Sequence, residues 1–370
     1  MTSSLDLLYS ETEEELRSAV RALLADRCAP AALLARIESG TPHDPALWNT
    51  LASGIGAAGL LVPEKLGGQG ASHREAAVVL EELGRAVAPV PYLTSSVLAT
   101  AILLDCDCQH AAVAGLLAEL AAGTLVSVPV LPLTLAPGAP LAVVVRDAGD
   151  GVLSGTVTAV ADAAAADVLL VLADTGLYAV PAAEVRIAPQ VPLDLTRPLA
   201  AVTLDGARGT RLADPATARA AIAGALLAGA GLLASEQLGL AQWCLSETVA
   251  HVRTRHQFNR PIGSFQALKH RLAQLWLDVA SARAAARAAA DALATSAPDA
   301  PLAVAVAQAY CSGVAVRAAE ECVQLHGGIG MTWEHPAHLY LKRAKADSLA
   351  LGTAGHHRAL VADFAELPAP

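Results

Sequence analysis

Apolar residues recur once per helical turn through the first third of the chain. In residues 11–24 this spacing is joined by acidic residues in the first turn, which the positive end of a helix dipole favours. Residues 47–58 and 74–87 repeat the pattern and predict two more helices. Between them, residues 62–70 are rich in glycine, but no strand precedes them and no Lys-Ser/Thr follows, so we interpret them as a plain connection.

Short runs of Val and Leu replace the helical pattern in the middle of the chain. Gly, Asp and Pro break these runs, as is typical of the strands of a small β-domain. Helical periodicity returns at residues 216–237 and continues to near the end. The predicted strands are residues 141–145, 168–172 and 176–180, and the later long helices are residues 265–293 and 302–325.

This order predicts an α+β fold, mainly α, with a β-domain between two helical domains. The predicted domains are an N-terminal helical domain (1–122), a middle β-domain (123–212) and a C-terminal helical bundle (213–370). Composition agrees, because 54% of the 370 residues are hydrophobic and only 16% are charged, which excludes disorder and requires extensive burial. Aromatic residues make up 3%, which suits closely approaching helices better than a β-sandwich.

Charge and cysteine usage exclude several classes of partner. A net charge of −10 argues against nucleic acid, because no basic stripe is present to neutralise phosphates. The six cysteines are scattered, and their one close pair is a C-x-C rather than the C-x-x-C of a zinc site. We therefore predict free thiols, no metal site and a cytoplasmic location. The cysteines are Cys28, Cys106, Cys108, Cys244, Cys311 and Cys322.

Neither a signal peptide nor a membrane span is predicted. Residues 1–6 lack a basic region followed by an apolar core. Residues 220–234 contain only Ala, Gly, Ile and Leu, but the run is short for a bilayer and lies between Arg219 and Glu236. We interpret it as a buried helix of the bundle.

Two strings in the C-terminal third resemble the flavin-binding signature of the acyl-CoA dehydrogenase family. The first is R-x-x-F-x-x-P-I-x-x-F-Q over residues 255–266, and the second is Q-x-x-G-G-x-G over residues 324–330. Weaker matches at Trp48, residues 58–68 and residues 81–85 extend the resemblance over nearly the whole chain. The candidate FAD-binding residues are Arg255, Phe258, Gln266, Gln324, Gly327 and Gly328.

The chemistry of these side chains suits that cofactor. Arg255 offers a fixed charge and a planar donor fork for a diphosphate, and Phe258 offers an apolar face for a ring. Gly327 and Gly328 let a backbone approach a ligand without interference from a Cβ atom. Taken singly, Arg255 also fits a solvated arginine at a helix end, and the two glycines also fit a helix stop. The two strings in this order favour the flavin interpretation.

The resemblance implies oxidation of an acyl-CoA to the 2-enoyl-CoA, with FAD as cofactor and an electron-transfer flavoprotein-like acceptor. That reaction removes a proton from the α-carbon and therefore needs a base. The usual position of the catalytic glutamate falls on Leu351, and the alternative position falls near Gly229. The family's ring-contacting motifs are also missing from residues 129–132 and 156–162. The chain thus lacks the residues that would serve a flavin of its own.

In the family that this chain resembles, the residues of these two strings mostly reach across a subunit interface and contact the flavin of a neighbouring chain. The combination resembles the non-catalytic subunit of heteromeric (α2β2) actinobacterial acyl-CoA dehydrogenases of steroid and cholesterol side-chain β-oxidation. It implies a heterotetramer in which a partner subunit supplies the catalytic carboxylate and this chain is inactive alone. Two alternatives stay open: a self-sufficient enzyme whose base is Glu236 or Glu247, and a flavin-free structural subunit.

Overall fold

The structure of this chain is a computed structural model that describes residues 7–41 and 43–367. Within these residues, six α-helices come before the first strand and five come after the eighth. The first six are α1 (Glu11–Arg27), α2 (Pro30–Glu38), α3 (Pro45–Asn49), α4 (His73–Ala86), α5 (Thr100–Leu104) and α6 (Ala111–Ala122). The later five are α7 (Pro215–Thr254), α8 (Gln266–Ala294), α9 (Ala300–His326), α10 (Ala337–Asp347) and α11 (Ala354–Phe364).

The strands of the described residues form two small sheets and one hairpin. They are β1 (Ser127–Pro129), β2 (Arg146–Asp147), β3 (Val152–Ala161), β4 (Val168–Ala173), β5 (Gly176–Pro181), β6 (Arg186–Gln190), β7 (Leu199–Arg208), β8 (Thr210–Ala213), β9 (His256–Gln257) and β10 (Arg260–Pro261). One sheet has the order β1-β4-β5-β8 and the other β2-β3-β7-β6, while β9 pairs with β10. These strands pair antiparallel except for β1 with β4. The predicted fold class is confirmed; the exact domain boundaries stay a prediction.

Helix α7 is the centre of the C-terminal bundle. It packs against α4, α8 and α9 and is buried along most of its middle. Where α4 crosses it, a Cβ at Gly84 would lie 2.1 Å from the Glu236 carbonyl oxygen, and a Cβ at Gly239 would lie 1.9 Å from the Glu81 carbonyl oxygen. The two backbones therefore touch, which only glycine permits at these positions. The small residues of α4 and α7 thus allow the backbones of the two helices to approach each other closely.

The predicted bundle helix at residues 220–234 lies within α7 and is confirmed as a core segment. By length and composition, α7 and the segment Ala300–Met331 could each cross a membrane, but both are mostly buried against other parts of the protein. A core helix passes the same test, so this composition is weak evidence for a membrane span. The signal-peptide prediction concerns residues 1–6, which lie outside the described residues. All six cysteines are free thiols.

Two predicted elements were wrong in detail. Residues 141–145 are not a strand; only Val145 forms a single bridge, to Ala173, and the Leu141 carbonyl accepts a hydrogen bond from Arg219. Alternate residues of this segment, Leu141, Val143 and Val145, pack against the core, and the residues between them are exposed. Residues 47–58 do not form one helix, because a π-helical turn follows α3 and Gly56 then takes a left-handed conformation with φ of 78°.

Candidate functional site

The first flavin-contact string forms the end of α7 and the hairpin that follows it. Arg255 directly follows the last residue of α7, and its carbonyl oxygen accepts a hydrogen bond of 2.8 Å from the Ile262 backbone N–H. Phe258 and Asn259 form the two-residue turn between β9 and β10, with φ of 53° and 62°. Positive φ at both positions matches the turn that right-twisted hairpins prefer, but a bulky phenylalanine is unusual there. The turn leaves Phe258 84% exposed.

The second string forms the end of α9. Gln324 lies in its last turn, and Gly327 ends the helix with φ of 65°. A Cβ at Gly327 or Gly328 would have no neighbour within 4 Å, so the space over both residues is open. The positive φ at position 327 explains why that residue is glycine. Nothing within the described residues explains why residue 328 is glycine as well.

The structure brings the two strings to the same end of the bundle. His251 in the last turn of α7 has its ring centroid 4.2 Å from that of His326, the last residue of α9. All six predicted flavin-contact residues, including Gln266 at the start of α8, are exposed. The Arg255 side chain makes no hydrogen bond or ion pair with the residues that the structure describes. A guanidinium group, an aromatic ring and open backbone are therefore exposed together at this end of the bundle.

The two positions expected for a catalytic base lie side by side and are filled by apolar atoms. Leu351 is 1% exposed, with φ of 52°. A Cβ built on Gly229 would lie 3.2 Å from Leu351 Cδ1 and 2.5 Å from Leu98 Cδ2. The remaining cavity, bordered also by Pro132 and Leu226, measures 20 Å³. This volume holds about one water molecule.

Backbone contacts close the same region from the β side. The Leu351 N–H donates to the Leu133 carbonyl at 2.8 Å, and the Leu133 N–H donates to the Ala159 carbonyl at 2.9 Å. Pro132 also bridges to Val160 in β3. The segments that lack the family's ring-contacting motifs are thus in contact with one another. The cavity that these segments line measures 20 Å³, which is too small for a flavin ring or an acyl chain.

Glu236, one alternative base, is held inside a buried ion-pair network. Its carboxylate is 1% exposed and accepts from Arg197 at 2.7 and 2.8 Å and from Arg343 at 2.5 Å. Both oxygens are therefore engaged by guanidinium groups. The network has no local signature in the sequence, and it consists of Asp194, Arg197, Glu236, Arg343 and Asp347.

This buried ion-pair network joins three elements that are far apart in the sequence. Arg343 bonds Asp194 and donates to Thr196 Oγ1 at 2.6 Å, and Arg197 donates to Asp347 at 2.7 Å. The loop between β6 and β7 is thereby tied to α7 and α10. Burial, and next to it the charge of Glu236, raise the pKa of Asp347 to about 8 despite the two arginines.

Glu247, the other alternative base, lies far from the filled positions. It follows Gly229 by 18 residues on α7, or about 27 Å at the rise of an α-helix. Its neighbours are His326 and His335 at the exposed end of the bundle. It therefore shares a location with the flavin-contact strings rather than with Leu351.

Two family models and several known proteins are similar to this chain. The model of the acyl-CoA dehydrogenase N-terminal domain matches residues 10–123, and that of the C-terminal domain matches residues 219–365. Acyl-CoA dehydrogenase IpdE2 of Mycolicibacterium smegmatis is 39% identical over 345 residues, which cover 93% of this chain and 95% of that protein.

Two solved structures are similar over almost the same length. The ChsE4-ChsE5 complex from Mycobacterium tuberculosis is 29% identical with a TM-score of 0.84, covering 98% of this chain and 100% of that one. A variant of the Tcur3481-Tcur3483 steroid ACAD is 30% identical with a TM-score of 0.83, covering 96% of this chain and 98% of that one.

Proposed function

The chain belongs to the acyl-CoA dehydrogenase family, and on that premise we propose that it is the non-catalytic subunit of a heteromeric, FAD-dependent enzyme that forms a 2-enoyl-CoA. A partner subunit supplies the catalytic carboxylate and the substrate cavity. The similarity to a steroid ACAD and to the two-protein ChsE4-ChsE5 complex supports this proposal. It extends to a steroid-derived acyl-CoA as substrate, an electron-transfer flavoprotein-like acceptor and a cytoplasmic location.

The observation that carries the proposal is the contrast between two regions of the chain. Where a base and a substrate would lie, Leu98 and Leu351 fill the space to a residual 20 Å³. Where a neighbour's cofactor would lie, Arg255, Phe258 and the glycines at 327 and 328 are exposed. This contrast supports assigning the flavin to the outer surface of this chain rather than to its interior.

The residues of the outer surface have distinct roles in this proposal. A bound flavin would supply the acceptor for the hydride of the acyl-CoA β-carbon. Arg255 would hold the diphosphate through its guanidinium group, which has no hydrogen-bond or ion-pair partner among the described residues. Phe258 would cover an apolar ring of the cofactor and exclude water from it. Gly327 and Gly328 allow close approach of the α9 end, and Gln266 and Gln324 donate or accept neutral hydrogen bonds.

The geometry argues against a self-sufficient enzyme. A general base must reach its proton within hydrogen-bond distance, directly or through one water. Glu236 is saturated by Arg197 and Arg343, and Glu247 lies about 27 Å along α7 from Gly229. Neither carboxylate lines the small cavity beside Leu351. The flavin content of the complex, described next, distinguishes our proposal from the hypothesis of a flavin-free structural subunit.

The flavin content of the complex tests the assignment. The chain is co-purified with its partner as wild type, as Arg255→Ala and as Arg253→Ala. Arg253 is exposed in the last turn of α7, and its replacement removes the same charge two residues away. We expect Arg255→Ala to lower the ratio of FAD to protein severalfold, measured by absorbance after release, while Arg253→Ala retains it. Unchanged flavin in Arg255→Ala would refute the role of Arg255 and favour the structural subunit.

A further inference from the structure

Three metal-ligating side chains meet at the end of the bundle. Glu247 lies on α7, His326 ends α9 and His335 lies two residues before α10. Their ligand atoms all lie within 4.8 Å of one another. No local sequence motif links them, because the chain returns to this point from three separate elements.

His326 has the hydrogen bonding of a metal ligand. Its Nδ1 lies 2.7 Å from the Cys322 carbonyl oxygen. Since a carbonyl can only accept, Nδ1 carries the proton and Nε2 carries the lone pair. The residue is 6% exposed, and its Nε2 has no hydrogen-bond partner among the described residues. Metal-binding histidines commonly donate their other ring N–H to a backbone carbonyl in this way.

The other two side chains are available to the same point. Glu247 is half-buried and makes no hydrogen bond or ion pair with the residues that the structure describes. The His335 ring centroid lies 4.4 Å from that of His326. His335 Nδ1 accepts a long hydrogen bond of 3.2 Å from the Ala337 N–H. To bind a cation through Nε2, the ring would move its proton from Nε2 to Nδ1 and lose this hydrogen bond.

We propose that Glu247, His326 and His335 bind a divalent transition-metal ion, for which zinc is the best match. Two imidazoles and one carboxylate are common ligands of zinc, whereas magnesium and calcium prefer oxygen. With bonds of about 2.1 Å, tetrahedral ligands lie about 3.4 Å apart, so rotation of two half-buried side chains closes the site. His251 is one helical turn beyond Glu247 on α7 and can supply the fourth ligand in place of water.

The position of this site gives it a structural role. An ion there links the ends of α7 and α9 and fixes the segment after Gly327 that leads to α10. It therefore holds in place the loop that carries the exposed glycines. This inference departs from the prediction of no metal site, which rested on cysteine spacing alone.

Zinc binding by the untagged chain tests the proposal. Competition for Zn²⁺ with a chromogenic chelator should show that one ion binds per chain. With Co²⁺ in place of Zn²⁺, the visible absorption spectrum should be that of a four-coordinate ion bound by nitrogen and oxygen ligands. Glu247→Gln and His335→Ala should each weaken Zn²⁺ binding by more than about 100-fold, because loss of an outer-shell partner of a metal ligand already costs about 10- to 100-fold. His270→Ala, which removes an exposed histidine from α8, should bind Zn²⁺ as the wild type does.

Folding and neighbouring thiols are controlled in the same experiment. Glu247→Gln keeps the size of a half-buried side chain, and Zn²⁺ should raise the melting temperature of the wild type but not of this variant. Equal affinity of Glu247→Gln, His335→Ala and the wild type would overturn the proposal. It would also be overturned if Cys322→Ser alone abolished binding and the Co²⁺ spectrum showed sulfur charge transfer.

Discussion

Replacing Asp347 by asparagine should change how the stability of this protein depends on pH. The buried ion-pair network holds two guanidinium groups and three carboxylates, so one carboxylate lacks a balancing charge. Asp347 Oδ2 is buried without a hydrogen-bond partner among the described residues, and the pKa of this carboxyl is raised to about 8 by burial and by Glu236. The network is thus charge-balanced when it holds one proton, and the raised pKa of Asp347 predicts that Asp347 carries it.

The sign and size follow from proton linkage. Between its ordinary pKa of 3.8 and its raised pKa of about 8, Asp347 holds a proton in the folded state and loses it in the unfolded state. The stability that this proton confers is complete below pH 3.8 and is lost as pH rises through about 8. The free energy of unfolding should fall by at most about 1.4 kcal/mol per pH unit from this group. The variant Asp347→Asn loses this slope, because its amide stays neutral at every pH.

Chemical denaturation of the wild type and Asp347→Asn, at pH 5, 6 and 7, measures the effect. Between pH 5 and 7 the free energy of unfolding of the variant should rise by up to about 3 kcal/mol relative to that of the wild type. Only the wild type loses, over this range, the stability that the bound proton confers. Asp26→Asn, an exposed position on α1, removes the same formal charge and serves as the control. Parallel curves for the wild type and Asp347→Asn would refute the protonated carboxyl and the charge count of the network.

Two further predictions concern the outer surface and the filled interior. Phe258→Gly should raise the free energy of unfolding of the chain by about 0.5–1 kcal/mol, because glycine adopts the positive φ without strain, yet lower the FAD content of the complex. Asn259→Gly makes the same backbone change at the neighbouring residue and should leave FAD unchanged; equal FAD in all three proteins would contradict the role of Phe258. Leu351→Glu should lower the melting temperature, because an unpaired carboxylate enters an apolar site, and give no acyl-CoA oxidation by the chain alone. Turnover by that variant in a dye-reduction assay would show that a substrate cavity exists.

Periodicity predicted the parts of the fold that depend on local pattern. The long helices α7, α8 and α9 show apolar spacing over many turns, and β4 and β5 are uninterrupted apolar runs. The longest strands, β3 and β7, gave no such signal. In β3, Gly155 and irregular pairing between Val157 and Val160 interrupt the alternation of buried and exposed positions. Pairing between distant strands, rather than local preference, decides that region.

The candidate site divides in the same way. Arg255 and Gly327 are predicted from short strings because the chemistry of each string is local, and their contact with FAD stays a prediction. The absence of a base at Leu351 could also be found from sequence, but its contact with Leu98 and Gly229 could not. Nor could the buried ion-pair network or the grouping of Glu247 with two histidines, since their members come from elements that meet only in the folded protein.

Flavin binding by the chain alone tests the central claim most directly. The chain is purified without a partner, incubated with excess FAD and desalted, and its visible absorption spectrum is recorded beside that of the co-purified complex. We expect the chain alone to be colourless and the complex to carry flavin, because the exposed residues of this chain complete a site that the partner builds. One retained flavin per isolated chain would contradict the account, since it would require a complete cofactor site within this subunit.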